Sequence, residues 1–134
     1  MHKNQSIRIL VVDDMPSMRK ILCNSLAEAG FTAVAAVEDG ELAWNLIQEK
    51  ALEPEQAFEL IIADWSMPEF SGIELLRAVR NFGPTQTIPF LMVTAKVDHK
   101  NVAEALSIGV SDYIVKPFSG AQVIEKINAL FSHE

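Results

Sequence analysis

Four short apolar runs in this chain end on residues that could bind a hard metal ion or transfer a phosphoryl group. Ile9-Leu10-Val11-Val12 leads into Asp13-Asp14, and Leu60-Ile61-Ile62-Ala63 leads into Asp64. Phe90-Leu91-Met92-Val93 leads into Thr94, and Tyr113-Ile114-Val115 leads into Lys116-Pro117. Carboxylates crowded together repel one another, and at least one pKa must rise unless a cation is near. A divalent, oxygen-seeking ion such as magnesium relieves that repulsion, with manganese able to substitute. No His or Cys accompanies these residues, which disfavours zinc and copper. A carboxylate can itself act as nucleophile and become an aspartyl-phosphate. Such a transfer needs positioning and charge neutralisation. Lys116 offers the positive charge and the Thr94 hydroxyl a hydrogen-bond donor. A cis Lys116-Pro117 bond would suit a tight turn at that place.

These groups act together only if the elements carrying them end along one line. A short, fully apolar run reads as a strand buried on both faces, as in a parallel sheet. In an open α/β sheet, ligands bind at the carboxyl rim of the strands. The pattern predicts strands at about Ile7–Val12, Thr32–Val37, Leu60–Ala63, Pro89–Val93 and Asp112–Val115. The first helix opens at Pro16-Ser17, is faced by Met18, Ile21, Leu22, Leu26 and Ala29, and stops at Gly30. The second follows an Asp39-Gly40 turn and carries Leu42, Ala43, Leu46 and Ile47. The third is faced by Ile73, Leu76 and Val79 and is broken by Phe82-Gly83-Pro84. The fourth spans about Lys100–Ile108, and the fifth carries Val123, Ile124, Ile127, Leu130 and Phe131. Regular alternation with short connections predicts an α/β fold with helices on both sides of the sheet. The acidic stretch Glu49–Glu59 either extends helix 2 or forms a surface loop.

The chain has 134 residues, the size of one domain, and 49% hydrophobic residues supply one core. Residues 1–134 are expected to form a single domain with no fused output domain, so output would be surface binding. A net charge of −7 argues against nucleic acid and against an anionic membrane surface. No apolar stretch approaches the roughly 20 residues of a membrane span, and a cytoplasmic location is expected. Cys23 is the one cysteine; it excludes an internal disulfide and reads as a small apolar residue of helix 1.

The chain as a whole resembles the receiver domain of two-component response regulators, most closely its single-domain chemotaxis members. The matching motifs are Val-Val-Asp-Asp at 11–14, Glu-Asp-Gly at 38–40, Asp-Trp-Ser-Met-Pro at 64–68, Val-Thr-Ala at 93–95 and Val-Lys-Pro-Phe at 115–118. The resemblance implies a flavodoxin-like (βα)5 fold with strand order 2-1-3-4-5. It implies Asp64 as phosphoacceptor, with Asp13, Asp14, Asp64 and the Ser66 backbone carbonyl holding magnesium. Thr94 and Lys116 would contact the phosphoryl group, and Tyr113 would be a switch aromatic that turns inward when Thr94 moves. Ser66 and Lys96 occupy positions that tune phosphate lifetime. The output surface would comprise Val102, Leu106, Tyr113, Val115 and Lys126. Implied partners are a sensor histidine kinase or a small acyl phosphate as donor, a phosphatase, and a flagellar-motor switch protein, with the receiver a monomer. The chain would be a signalling protein and not an enzyme, beyond its own phosphorylation and dephosphorylation. Ser71 stands where the family often has Asp before the Gly of the loop after strand 3, and the 49–59 connection is several residues longer than in the single-domain chemotaxis members.

Other readings stay open on the residues alone. The receiver could serve as a phosphate sink or regulate a separate enzyme. A haloacid-dehalogenase-type phosphatase also uses a carboxylate after a buried strand, but spaces two aspartates by one residue, whereas Asp13 and Asp14 are adjacent. Asp13-Asp14 could be a turn or cap, Thr94 a cap and Lys116 a solvated lysine. Trp65 flanks the site or merely packs. His2, His99 and His133 read as solvated, and Met15, Met18, Met67 and Met92 as packing residues.

Overall fold

Runs of branched and large apolar residues form five strands, and each is followed by a helix with one apolar stripe. The structure, a computed structural model, describes residues 6–95 and 99–131, the His99 side chain excepted. In chain order these are β1 (Arg8–Val12), α1 (Pro16–Glu28), β2 (Ala33–Val37), α2 (Gly40–Ala51) and β3 (Leu60–Asp64). Then come α3 (Gly72–Arg80), β4 (Phe90–Thr94), α4 (His99–Ile108), β5 (Asp112–Val115) and α5 (Gly120–Leu130), with a 3-10 turn at Gly83–Thr85. All strand pairs are parallel, in the order β2-β1-β3-β4-β5. That is the fold and order expected from the sequence.

Side chains alternate across the sheet with the period of two that strands impose. Leu10, Val12, Ile61, Ala63, Phe90 and Met92 face α2, α3 and α4. Ile9, Val11, Leu60, Ile62, Leu91, Val93 and Ile114 face α1 and α5. Both faces are dry, which is why the strands read as unbroken apolar runs.

The helix starts are capped by local side chains. Asp39 accepts from the Leu42 N–H at 2.7 Å to begin α2. Ser71 and Glu74 form a reciprocal capping box at α3, and Ser119 and Gln122 another at α5. Gly109 stops α4 with φ +114°, a left-handed conformation that favours glycine. Arg80 then reaches across to the Gly109 carbonyl at 2.8 Å and to the Ile88 carbonyl at 2.7 Å.

Three expectations about apolar faces need correction. Ile21 is 49% exposed, Leu42 46% and Met15 48%. Leu22 and Leu26 set the buried line of α1, and Ile21 is rotated about 100° from it. In α2 the line is Ala43 and Ile47, which turns Leu42 outward; Met15 is the N-cap residue of α1, outside its packed face. Cys23 is half-buried in α1 and packs on the core, and burial pushes its thiol pKa up. Helix α2 ends at Ala51, and a turn-rich connection completes the 49–59 stretch. Arg8 holds this connection: its Nε donates to the Ala57 carbonyl at 2.7 Å and its Nη2 to the Pro54 carbonyl at 3.2 Å. Glu59 pairs with the same guanidinium at 3.4 Å, and Phe58 is buried beneath. His2, Lys96 and His133 lie outside the described residues.

Candidate functional site

The strand order places the carboxyl ends of β1, β3, β4 and β5 side by side. Asp13 follows β1 directly, Asp64 is the last residue of β3, Thr94 the last of β4, and Lys116 follows β5. The strands β3 and β4 therefore run one residue further than predicted, because the polar residue still pairs: Asp64 with Val93, and Thr94 with Val115.

Carboxylate oxygens of Asp13, Asp14 and Asp64 lie within 4.8 Å of one another. Asp13 and Asp64 are buried, and Asp14 is exposed at the mouth. Lys116 Nζ is 3.4 Å from Asp64 Oδ2 and 3.7 Å from Asp13 Oδ2. Asp13 Oδ1 accepts from the Met15 N–H at 2.9 Å, so the turn reading of this pair is also true. Asp13 Oδ2 is different: it is buried with no hydrogen-bond partner. A buried charged oxygen without a donor is costly unless a cation satisfies it.

Electrostatics point the same way. Burial pushes the Asp64 carboxyl above its ordinary pKa, and the neighbouring Asp13 adds to that, while Lys116 pulls it back down. Asp13 is also raised, chiefly by burial, against the Met15 N–H and Lys116. Among the described residues, one ammonium stands with three carboxylates, which leaves the cluster short of positive charge. Three oxygen donors, one orphaned oxygen and this raised titration fit a hard divalent cation.

The surrounding backbone fixes the cluster. The Trp65 N–H donates to the Val93 carbonyl at 2.8 Å, and the Lys116 N–H to the Thr94 carbonyl at 2.7 Å. The Gly72 N–H donates to the Trp65 carbonyl at 2.9 Å and pins the start of α3 against the end of β3. In the loop between them Glu69 takes a φ of 68°, a left-handed conformation unusual for a residue with a long side chain. The Lys116–Pro117 bond is cis.

The remaining expected residues divide into two places. Ser66 is exposed on the loop just after β3. Trp65, Thr94, Val102, Ala105 and Tyr113 line one small cavity between β4, α4 and β5, together with Asn101. Tyr113 and Val115 share one side of β5, Leu106 is exposed on α4, and Lys126 of α5 is 3.2 Å from Asp112. Arg19 was not legible as a site residue. Its Nη1 donates to the Asp13 carbonyl at 2.7 Å, bracing the β1–α1 turn. The available signal was a cation in the second turn of a helix that starts at the carboxylate pair.

Sheet order and rim define a parallel α/β domain with an acidic site at the carboxyl end of its sheet, and comparison with known proteins supplies the class. Residues 9–128 match the family described as response regulator receiver domain. The chemotaxis protein CheY of Pseudomonas aeruginosa is 39% identical over 125 residues, 93% of this chain and 96% of that protein. Chemotaxis protein CheY-3 of Vibrio cholerae is 35% identical, over 96% of this chain and 94% of its own. The solved structure of the chemotaxis response regulator CheY4 of Vibrio cholerae superposes with a TM-score of 0.83 at 28% identity, covering 93% of this chain and 98% of the other. This chain belongs to the response regulator receiver family, in its CheY-type branch. Receiver domains are signalling proteins that bind magnesium at an acidic pocket, and this chain has an acidic cluster of Asp13, Asp14 and Asp64. Among the described residues no helix is long and apolar enough to cross a membrane.

Proposed function

We propose that this chain is a switch domain that accepts a phosphoryl group on Asp64 from a sensor histidine kinase or a small acyl phosphate. The observation that carries the reading is the Asp64 carboxylate held 3.4 Å from Lys116 Nζ, beside the buried Asp13 Oδ2, which accepts no hydrogen bond. An ionised Asp64 oxygen attacks phosphorus; the new P–O bond forms as the donor's P–N or acyl P–O bond breaks. An imidazole leaving group takes its proton from solvent. A magnesium ion, or manganese in its place, held by Asp13, Asp14, Asp64 and the Ser66 carbonyl, would neutralise charge on the phosphoryl oxygens. Lys116 and the Thr94 hydroxyl contact those oxygens, and Ser66 and Lys96 set how readily water reaches the acyl phosphate.

Phosphorylation then shifts a pair of conformations. Moving such a pair from 1:99 to 99:1 takes about 5.5 kcal/mol of differential stabilisation. New hydrogen bonds from Thr94 and Lys116 to an anion supply charge-assisted contacts of that scale. Thr94 and Tyr113 share one cavity, which supports their moving together. The readout face is α4, β5 and α5, with Val102, Leu106, Tyr113, Val115 and Lys126. The chemotaxis proteins among its relatives support a role in chemotaxis; a cytoplasmic location and a flagellar-motor switch protein as target belong to the same proposal.

Trp65 adjoins Asp64, so its fluorescence reports the site. Magnesium and then beryllofluoride should each give a saturable change, the second lost in Asp64→Asn. Acetyl phosphate should label Asp64 by mass spectrometry. Absence of both the beryllofluoride response and the label would overturn the reading.

A further inference from the structure

β5 is an edge strand, so its outer backbone groups need partners other than a neighbouring strand. Asp112 supplies one. Its Oδ1 accepts from the Tyr113 N–H at 2.7 Å. Its Oδ2 takes the Lys126 ammonium of α5 at 3.2 Å. One carboxylate thus ties the backbone of Tyr113 to a cation on the neighbouring helix. The same ammonium stands 5.9 Å from the centre of the Tyr113 ring, within cation–π range.

Tyr113 borders two spaces. On one side is the largely apolar cavity beside Trp65, Thr94, Asn101, Val102 and Ala105. On the other is an open polar groove shared with Asp112, Gln122, Glu125 and Lys126. A ring that moves deeper into the first leaves Lys126 behind in the second. Lys126 cannot follow while Asp112 holds it. Its side chain is 38% exposed and that of Asp112 32%, so the pair is weak enough to open and strong enough to bias.

We propose that Asp112 and Lys126 form a latch that holds Tyr113 in its outer seat and so sets the resting activity of the α4–β5–α5 face. The latch rests on the receiver reading above. Asp112 is a positioning residue here: it acts on Tyr113 through Lys126 and touches no phosphoryl group. An ion pair of this exposure shifts a two-state equilibrium roughly two- to fivefold. Closing it also occupies Lys126, so the cation becomes available to an acidic partner only when the latch opens.

Tyr113 is the chain's 1 tyrosine, so fluorotyrosine labelling gives a single 19F resonance. Asp112→Asn keeps an oxygen for the Tyr113 N–H and removes the charge. Without any activator its resonance should lie nearer the beryllofluoride-bound position than that of the wild type. Its beryllofluoride affinity, read by Trp65 fluorescence at fixed magnesium, should rise roughly two- to fivefold. Lys126→Gln should do the same, and the double variant no more than either alone. Wild type in 1 M salt, where screening acts over about 3 Å, should move toward the variants while they stay put. If the wild-type resonance moves with beryllofluoride but Asp112→Asn changes neither resting position nor affinity, the latch is wrong and the receiver reading stands. If the wild-type resonance ignores bound beryllofluoride, Tyr113 is no switch and the latch falls, while acceptance of phosphate on Asp64 is decided by the fluorescence and labelling tests above.

Discussion

Asp13 and Asp64 carry opposite demands. Each must be charged to hold a cation, yet burial makes the charged form unfavourable and raises both pKa values. A carboxyl whose folded pKa is raised contributes stability that is full below its unfolded value and is lost as pH climbs through the folded one. The metal-free protein should therefore weaken as pH rises from the ordinary carboxylate range through the raised values of these two groups. Asp64→Asn removes one source of that loss. In EDTA at pH 7 its urea midpoint should exceed that of the wild type, and the gap should close below the ordinary carboxylate pKa. A variant less stable than the wild type at pH 7 would show that Lys116 outweighs burial and repulsion at Asp64. Magnesium should reverse the order, because only the wild type keeps all three carboxylates.

At the scale of elements, β1, β3 and β4 were legible because burial on both faces leaves unbroken apolar runs, as in Leu60-Ile61-Ile62-Ala63. The one-residue errors at Asp64 and Thr94 arose where a polar side chain ends a strand whose backbone still pairs. Ile21 and Leu42 misled for another reason: they are apolar neighbours of a buried line, and sequence spacing alone does not say which of two adjacent stripes faces the sheet. The rim residues were legible together because each follows its own strand. Arg19 and the Asp112–Lys126 pair were not, since each depends on how a helix side chain crosses to another element. One inter-element approach is tight enough to test. A Cβ on Gly72 would overlap the Asp64 carbonyl oxygen and lie 2.9 Å from Met92 Sδ, whereas one on Gly83 would meet nothing within 4 Å. Gly72→Ala should cost about 1–3 kcal/mol, as overpacking does, and weaken magnesium binding by displacing Asp64. Gly83→Ala serves as control and should leave the magnesium titration unchanged. Equal magnesium affinity in Gly72→Ala and wild type would mean that α3 does not set the position of Asp64.

At the scale of the molecule, a single sheet separates two apolar layers among the described residues, one on each of its faces. Small domains of this size unfold as one unit when such layers are mutually supporting. Leu91 is buried on the α1–α5 side, and Trp44 packs on the opposite layer with its ring 5.8 Å from Phe82. Leu91→Ala should cost about 2–5 kcal/mol. The loss should appear in full in Trp44 fluorescence during urea unfolding, although that ring lies across the sheet. Read in a Trp65→Phe background, an unshifted Trp44 midpoint would mean that the layers melt separately.

The Arg8 clamp has a consequence for how this chain can vary. The connection from Ala51 to Leu60 enters β3 at the end opposite Asp64, and Arg8 ties down both Pro54 and Ala57 there. Residues 53–56 are exposed, and their anchoring lies a full strand length from the carboxylates. The molecule thus has a working rim and a tolerant rim, and the 51–60 connection belongs to the second. A peptide tag or a circular-permutation breakpoint placed there should leave the far rim undisturbed.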